Sequence, residues 1–201
     1  MTASVVKGPA HADPSPSAWD AFVEGNPRGS YLQLSAWARV KAVNGWTARR
    51  LLDAGTGVGG QVLLRRPGPL PWAFAYAPRG PVLERWDAAS VTGLTEMARA
   101  GLRDGARASH LRIDPEIEVG SGPDDDGAVT TALRAAGWLP APAIQPVSTR
   151  VIDLRADEAV LWADLRKKWR QYVNKARAGG VVVVDAGPER LDEFYRIYRE
   201  T

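Results

Sequence analysis

The chain has 201 residues, 45% of them hydrophobic, with 26 Lys and Arg against 23 Asp and Glu for a net charge of +3. That content is enough to bury a real core and excludes wholesale disorder, while so small a charge bias confines any polyanion contact to local patches. There is no cysteine, which excludes disulfides, thiolate nucleophiles and thiolate metal sites and fits a reducing compartment.

Residues 1–16 (MTASVVKGPAHADPSP) carry no apolar periodicity and are expected to form a flexible tail, leaving His11 unplaced for chemistry. They also lack the charged start and apolar centre of a secretory signal, and no run of about 18 apolar residues occurs, so the expectation is a cytoplasmic protein. Ser17 is expected to cap a short helix through Trp19, Phe22 and Val23 that stops before Asn26-Pro27. A second helix, capped by Ser35, places Trp37 and Val40 on one face and ends at Asn44-Gly45. Three strand-like runs follow, Trp46 to Leu52, Gln61 to Arg66 and Trp72 to Tyr76, and their spacing predicts antiparallel pairing. An amphipathic helix from about Asp87 to Arg107 leads to a strand from His110 to Asp114, closed by Pro115. Between Ile113 and Thr131 stand six acids and no Lys or Arg, and the run Asp124 to Asp126 reads as a solvated turn. Ala128 to Ala136 then reads as a helix and Val147 to Leu154 as a strand.

The positive charge concentrates in Leu161 to Gly180. Leu161, Leu165, Trp169, Tyr172, Val173 and Ala176 recur at helical spacing. Arg166, Arg170 and Arg177 mark one flank and Lys168 and Lys175 another, with no acid between Asp164 and Asp185. Such flanks are either a solvated face or an attraction for phosphates. A strand from Val181 to Ala186 and a helix from Pro188 complete the chain.

The run Leu51-Leu-Asp-Ala-Gly-Thr-Gly-Val-Gly59 matches the glycine-rich turn by which methyltransferases hold their nucleoside cofactor. Its context does not: such a turn must open a helix and be followed by an acid roughly 20 residues on. Here a strand-like run follows and no acid lies between Asp53 and Glu84, so a hairpin loop is expected. Histidines at positions 11 and 110 alone, with no nucleophile elbow and no P-loop, leave no basis for a hydrolase triad, a metal site or a nucleotide site.

The order of elements resembles the GNAT acyltransferase fold, a mixed α/β sheet with helices on both faces. Four stretches carry a narrower resemblance: Tyr31 to Lys41 with Gly45-Trp46; Tyr76-Ala-Pro-Arg-Gly-Pro-Val82; Leu111-Arg-Ile-Asp-Pro115; and Gln145-Pro146 through Thr149, Asp153-Leu154 and the basic run to Val181. Together they resemble the FemABX family of peptidoglycan aminoacyltransferases. The resemblance implies two GNAT-like domains, the first over residues 17–143 and the second opening at residues 144–201 and incomplete. It implies a transferase that takes an amino acid from aminoacyl-tRNA to an amine on the stem peptide of a peptidoglycan precursor. The acceptor would be lipid II or a UDP-linked muropeptide, and a lipid-linked one would draw the protein to the membrane periphery. No ATP, metal or other cofactor is required.

By the same resemblance Lys41 grips precursor phosphates, Tyr76, Arg79 and Gly80 line the substrate cleft, and Asp114 orients or deprotonates the amine. The set Arg166, Lys168, Arg170, Lys175 and Arg177 is assigned to phosphate or RNA. Two other readings remain open at the level of sequence. One is a coenzyme A-dependent N-acyltransferase, although Arg79-Gly80-Pro81 does not complete the usual pyrophosphate loop and Pro81 has no N–H to offer. The other is a precursor- or RNA-binding fragment without catalysis.

Overall fold

A computed structural model describes residues 13–103, 106–117, 124 and 126–200. His11, Glu118, Asp125 and most of the expected tail lie outside the described residues. The chain divides into two units, Met1–Ser148 and Thr149–Thr201.

The first unit opens with helix α1 (Pro16–Glu24). Ser15, not Ser17, caps it, its hydroxyl accepting from the Ala18 amide at 3.3 Å. The helix begins two residues earlier than expected because Pro16 suits the first position, where its missing N–H is not needed. A short 3-10 turn (Tyr31–Gln33) leads into α2 (Ser35–Ala42). Ser35 does not cap this helix. Asp20 on α1 does so from a distance, accepting from the Ser35 amide at 2.6 Å and its hydroxyl at 2.5 Å. A carboxylate at a helix start meets both the free amides and the positive end of the dipole.

Strands β1 (Thr47–Asp53), β2 (Val58–Arg65) and β3 (Ala73–Ala77) form the expected antiparallel meander. The glycine-rich run is indeed a hairpin: Asp53 pairs with Val58, and Gly57 takes a φ of 65° in the turn between them. The expected loop is shorter than read, because Gly59 and Gly60 already lie in β2. The short β4 (Val82–Leu83) pairs with the start of β2, and after helix α3 (Ala88–Arg103) strand β5 (Ala108–Ile113) runs parallel to β3. The result is a five-stranded mixed sheet of order β1-β2-β3-β5, with β4 off that path.

Neighbouring residues of a strand face opposite sides, and β1 shows how the helices divide between them. Leu51 joins the larger core with Val62, Leu94, Met97 and Leu102, under α3 and α4 (Ala128–Ala135). Leu52 packs with Trp19, Phe22 and Val23 of α1. Gly59 permits that second contact: a Cβ there would lie 2.8 Å from a Phe22 ring carbon and 3.0 Å from Trp19. Asp124 is not a solvated turn residue. It is buried and anchors α4, accepting from the Thr130 amide (3.1 Å) and hydroxyl (2.6 Å), bonds that hold its carboxyl below the usual range.

The second unit holds α5 (Glu158–Asp164), α6 (Lys167–Ala178) and, after a 3-10 turn at Pro188–Arg190, α7 (Leu191–Glu200). The expected continuous basic helix is broken at Leu165 and Arg166, whose backbones are extended. Gly180, at φ 74°, closes α6 as glycine does at that position. The runs Val147 to Leu154 and Val181 to Ala186 form no strand. Valine-rich composition favours extended backbone, but a strand exists only with a hydrogen-bonding neighbour, and Val181 to Val184 are exposed.

Replacing Asp20 by Ala removes two bonds to α2 while leaving Trp19 and Val23 seated. The expected loss is about 1–2 kcal/mol of unfolding free energy in a urea titration. An unchanged midpoint would show that the cap contributes nothing.

Candidate functional site

The parallel pair β3 and β5 ends in two loops that meet. β3 delivers Tyr76 near its end and runs into Pro78-Arg79-Gly80, while β5 delivers Asp114 just beyond Ile113. Pairing sets Tyr76 against Arg112 and Ala77 against Ile113, so the two loops leave the sheet side by side. Parallel strands commonly present functional groups at their carboxyl ends, where successive loops emerge together.

Asp114 is the hub. One carboxylate oxygen accepts the Tyr76 hydroxyl at 2.7 Å and the other accepts the Arg79 amide at 2.6 Å. The Asp114 amide in turn donates to the Gly80 carbonyl at 3.2 Å. Arg79 takes a left-handed conformation, φ 48°, which turns its amide toward the carboxylate. Its guanidinium donates to the Pro146 carbonyl at 2.9 Å and faces Glu116 at 3.5 Å. Gln145 donates to the Tyr76 hydroxyl at 3.2 Å. The structure therefore brings together four of the residues that sequence singled out, Tyr76, Arg79, Gly80 and Asp114, and adds Glu116, Gln145 and Pro146.

Tyr76 is pushed up to about 12, first by burial and then by its bond to the Asp114 carboxylate. It therefore keeps its proton at neutral pH and serves as a donor that fixes Asp114. The arrangement places the carboxylates of Asp114 and Glu116 beside Arg79, with the charge of Arg112 also acting on Tyr76. Such a site suits an amine or ammonium, which the carboxylates attract and orient. Asp114 also lines an open groove of about 1280 Å³ between α3, β5, α4 and residues 137–144, with Leu102, Leu111, Leu133 and Trp138 among its apolar lining.

The other expected site residues lie elsewhere. Lys41, on α2, places its ammonium 5.1 Å from the centre of the Trp37 ring. The basic set belongs to the second unit, and three of its members have intramolecular roles. One Arg170 nitrogen reaches the carbonyls of Ala163 (2.5 Å), Leu165 (2.7 Å) and Trp162 (3.4 Å), closing the C-terminus of α5. Arg177 lies 5.3 Å over Trp162 and Lys168 5.6 Å over Tyr172. Arg166 and Lys175 have no side-chain partner among the described residues.

Sequence reasoning assigned no role to Gln33 or Gln61. Both are fully buried on the α1 side of the sheet, and Gln33 bonds to the Pro78 carbonyl at 2.8 Å. The available signal was a lone amide between Leu32 and Leu34, in a segment that packs against the sheet.

The folded protein holds the Tyr76 proton more tightly than the unfolded chain, so this contribution to stability is complete below about pH 10 and is lost as pH rises through about 12. Tyr76→Phe should accordingly lose less stability than the wild type between those limits, as read by denaturant titrations at several alkaline pH values. Parallel slopes for the two proteins would contradict the raised value. Asp114→Asn replaces one of two acceptor oxygens by a donor and should cost about 1–3 kcal/mol in the same titrations at neutral pH.

The FemAB family model matches residues 15–201. Lipid II:glycine glycyltransferase of Staphylococcus saprophyticus subsp. saprophyticus is 30% identical over 196 residues, covering 92% of this chain and 46% of the relative. The protein of the same name from Staphylococcus aureus is 29% identical over 193 residues, covering 90% of this chain and 45% of its own. The crystal structure of FemX superposes with a TM-score of 0.72 at 26% identity, covering 91% of this chain and 47% of that one. The chain thus spans slightly less than half the length of the relatives it matches.

Proposed function

The chain belongs to the FemAB family, and from that membership we propose that it works in an aminoacyltransferase that moves an amino acid from aminoacyl-tRNA to an amine on the stem peptide of a peptidoglycan precursor. The observation that carries this reading is the Asp114 hub, with Tyr76 and Arg79 fixed on its two oxygens and Glu116 beside them. The names of the relatives favour a lipid-linked acceptor and glycine as the transferred residue. On this reading the protein acts in the cytoplasm, at the membrane periphery where a lipid-linked acceptor lies. Residues 17–143 form its first GNAT-like domain and residues 144–201 begin its second.

The chemistry asks little of the protein beyond placement. The amine nitrogen attacks the ester carbonyl carbon of the donor. A C–N bond forms, the C–O bond to the tRNA ribose breaks, and the proton lost by the amine ends on the ribose oxygen. Because the ester is already activated, orientation and proton removal are the main demands. Asp114 orients or deprotonates the attacking amine, and Tyr76 holds the carboxylate in place without giving up its proton. Arg79 and the backbone at Gly80 line the acceptor's path, and Lys41 holds precursor phosphate as a point charge. Of the assigned basic set, Arg166 and Lys175 are the cations freest for RNA phosphates, while Lys168 and Arg177 lie over aromatic rings. Arg170 serves the helix junction first.

The test is incubation of the full-length natural protein with the set of charged tRNAs and a lipid-linked precursor, read by mass spectrometry of the stem peptide. One added amino acid is the expected product. No transfer from any charged tRNA would reject the reading, and saturable acetyl-coenzyme A consumption would redirect it to another donor. Lys41→Ala should raise KM for the precursor roughly tenfold, with kcat little changed, because it removes ground-state binding. A fall in kcat alone would argue against a phosphate-gripping role.

A further inference from the structure

The turn that carries Arg79 is held by two groups, and only one of them is Asp114. The other is the Gln33 carboxamide, with no exposure to solvent. Its two N–H groups donate to the Pro78 carbonyl at 2.8 Å and the Gln61 carbonyl at 3.3 Å, and its oxygen accepts from the Gln61 amide at 2.8 Å. The bonds reach backbone 28 and 45 residues away in sequence. A carboxamide offers two donors and one acceptor oxygen, so all three functions are used.

An apolar side chain of the same size would fill this space without the cost of burying an amide. What it could not do is hold a carbonyl at a fixed place. Gly80 completes the fit: a Cβ at that position would come within 2.5 Å of the Gln33 amide nitrogen and 2.6 Å of its carbonyl carbon. The amide thus occupies the space that glycine leaves, and a side chain at 80 would displace it. Pro78, Arg79 and Gly80 are consecutive, so fixing the first and the last fixes the direction of the middle one.

We propose that Gln33 is a positioning residue of the site: braced on the β2 backbone at Gln61, its carboxamide holds the Pro78 carbonyl and packs against bare Gly80, which sets the turn from which Arg79 reaches Asp114. Its role in transfer rests on the aminoacyltransferase reading above. Its effect on the turn does not. A shift of about 1 Å in a site that works by placement lowers turnover by about a hundredfold.

Heteronuclear NMR of the whole chain reads the turn directly. The Arg79 amide proton, bonded to a carboxylate, should resonate well downfield in the wild type. Gln33→Met keeps the length of the side chain and removes both donors; it should move that proton upfield while the amides of α3 keep their positions. Gly80→Ala, which displaces the carboxamide instead of deleting it, should do the same and covers the case in which Gln33→Met fails to fold. In thermal unfolding, Gly80→Ala should cost less in a Gln33→Ala background than in the wild type, since the amide it collides with is gone. In the transfer assay, folded Gln33→Met should lose about a hundredfold in kcat with KM for charged tRNA unchanged. An unmoved Arg79 proton in both folded variants, or strictly additive Gly80→Ala and Gln33→Ala penalties, would overturn the proposal. Absence of transfer by the wild-type protein would defeat the aminoacyltransferase reading alone, because the NMR and unfolding results do not depend on turnover.

Discussion

The reciprocal bonding of the Gln33 side chain to the Gln61 backbone is the constraint on which the α1 face of the sheet depends. A buried primary amide is tolerated only when every donor and acceptor is met. Here that requirement fixes the Tyr31–Gln33 turn against β2 at one depth and in one register. The Gln61 side chain extends the same seam, donating to the Leu34 carbonyl at 2.9 Å just before α2 begins. Asp20 then ties α1 to the start of α2, and Gly59 lets α1 approach closely enough for Trp19 and Phe22 to cover Leu52. Hydrophobic burial supplies the driving force, while the amide seam decides where the two helices stop.

Much of the architecture could be read from residue patterns, and the failures share a cause. The three antiparallel strands were legible because turn residues separate short β-rich runs. The hairpin reading of the glycine-rich run held because a short β-rich run, Gln61 to Arg66, follows it in place of a helix start. Lost were features that depend on a partner distant in sequence. Ser35 looks like a cap, yet the carboxylate that caps α2 comes from position 20. Val147 to Leu154 and Val181 to Ala186 have strand composition but no strand partner among the described residues. The break between α5 and α6 is invisible to periodicity, because Leu165 fits the apolar spacing of both. The freed carbonyls are met by Arg170, whose side chain reaches back over the junction.

The site was legible in a similarly uneven way. Tyr76, Arg79, Gly80 and Asp114 were found through resemblance to a family, and periodicity alone would have assigned them to strand ends and turns. The structure adds the reason they belong together: parallel pairing of β3 and β5 brings two loops to one place, and the Asp114 carboxylate after β5 accepts from Tyr76 in β3 and from Arg79 in the loop that follows it. Gln33 escaped because a solitary amide in an apolar stretch has no motif, and its meaning lies wholly in what it touches. In the basic run of the second unit, Arg170 bonds to carbonyls and Arg177 and Lys168 lie over aromatic rings, contacts that a count of cations does not reveal.

Trp19 has a second attachment besides its packing: its indole N–H donates to the Gln33 main-chain carbonyl at 2.6 Å, where both groups are buried. Gln33 is therefore held by α1 through its backbone and holds the Arg79 turn through its side chain. Opening α1 exposes an indole, a carbonyl and the amide seam together, so the first helix and the Arg79 turn belong to one cooperative unfolding unit. During synthesis this unit has a built-in order. Residues 19 and 33 leave the ribosome early, but their bonds to β2 and to the turn wait for Gln61 and Pro78, and the hub closes only when Asp114 emerges. The site is thus the last part of that unit to mature, on a scaffold whose first pieces were made long before.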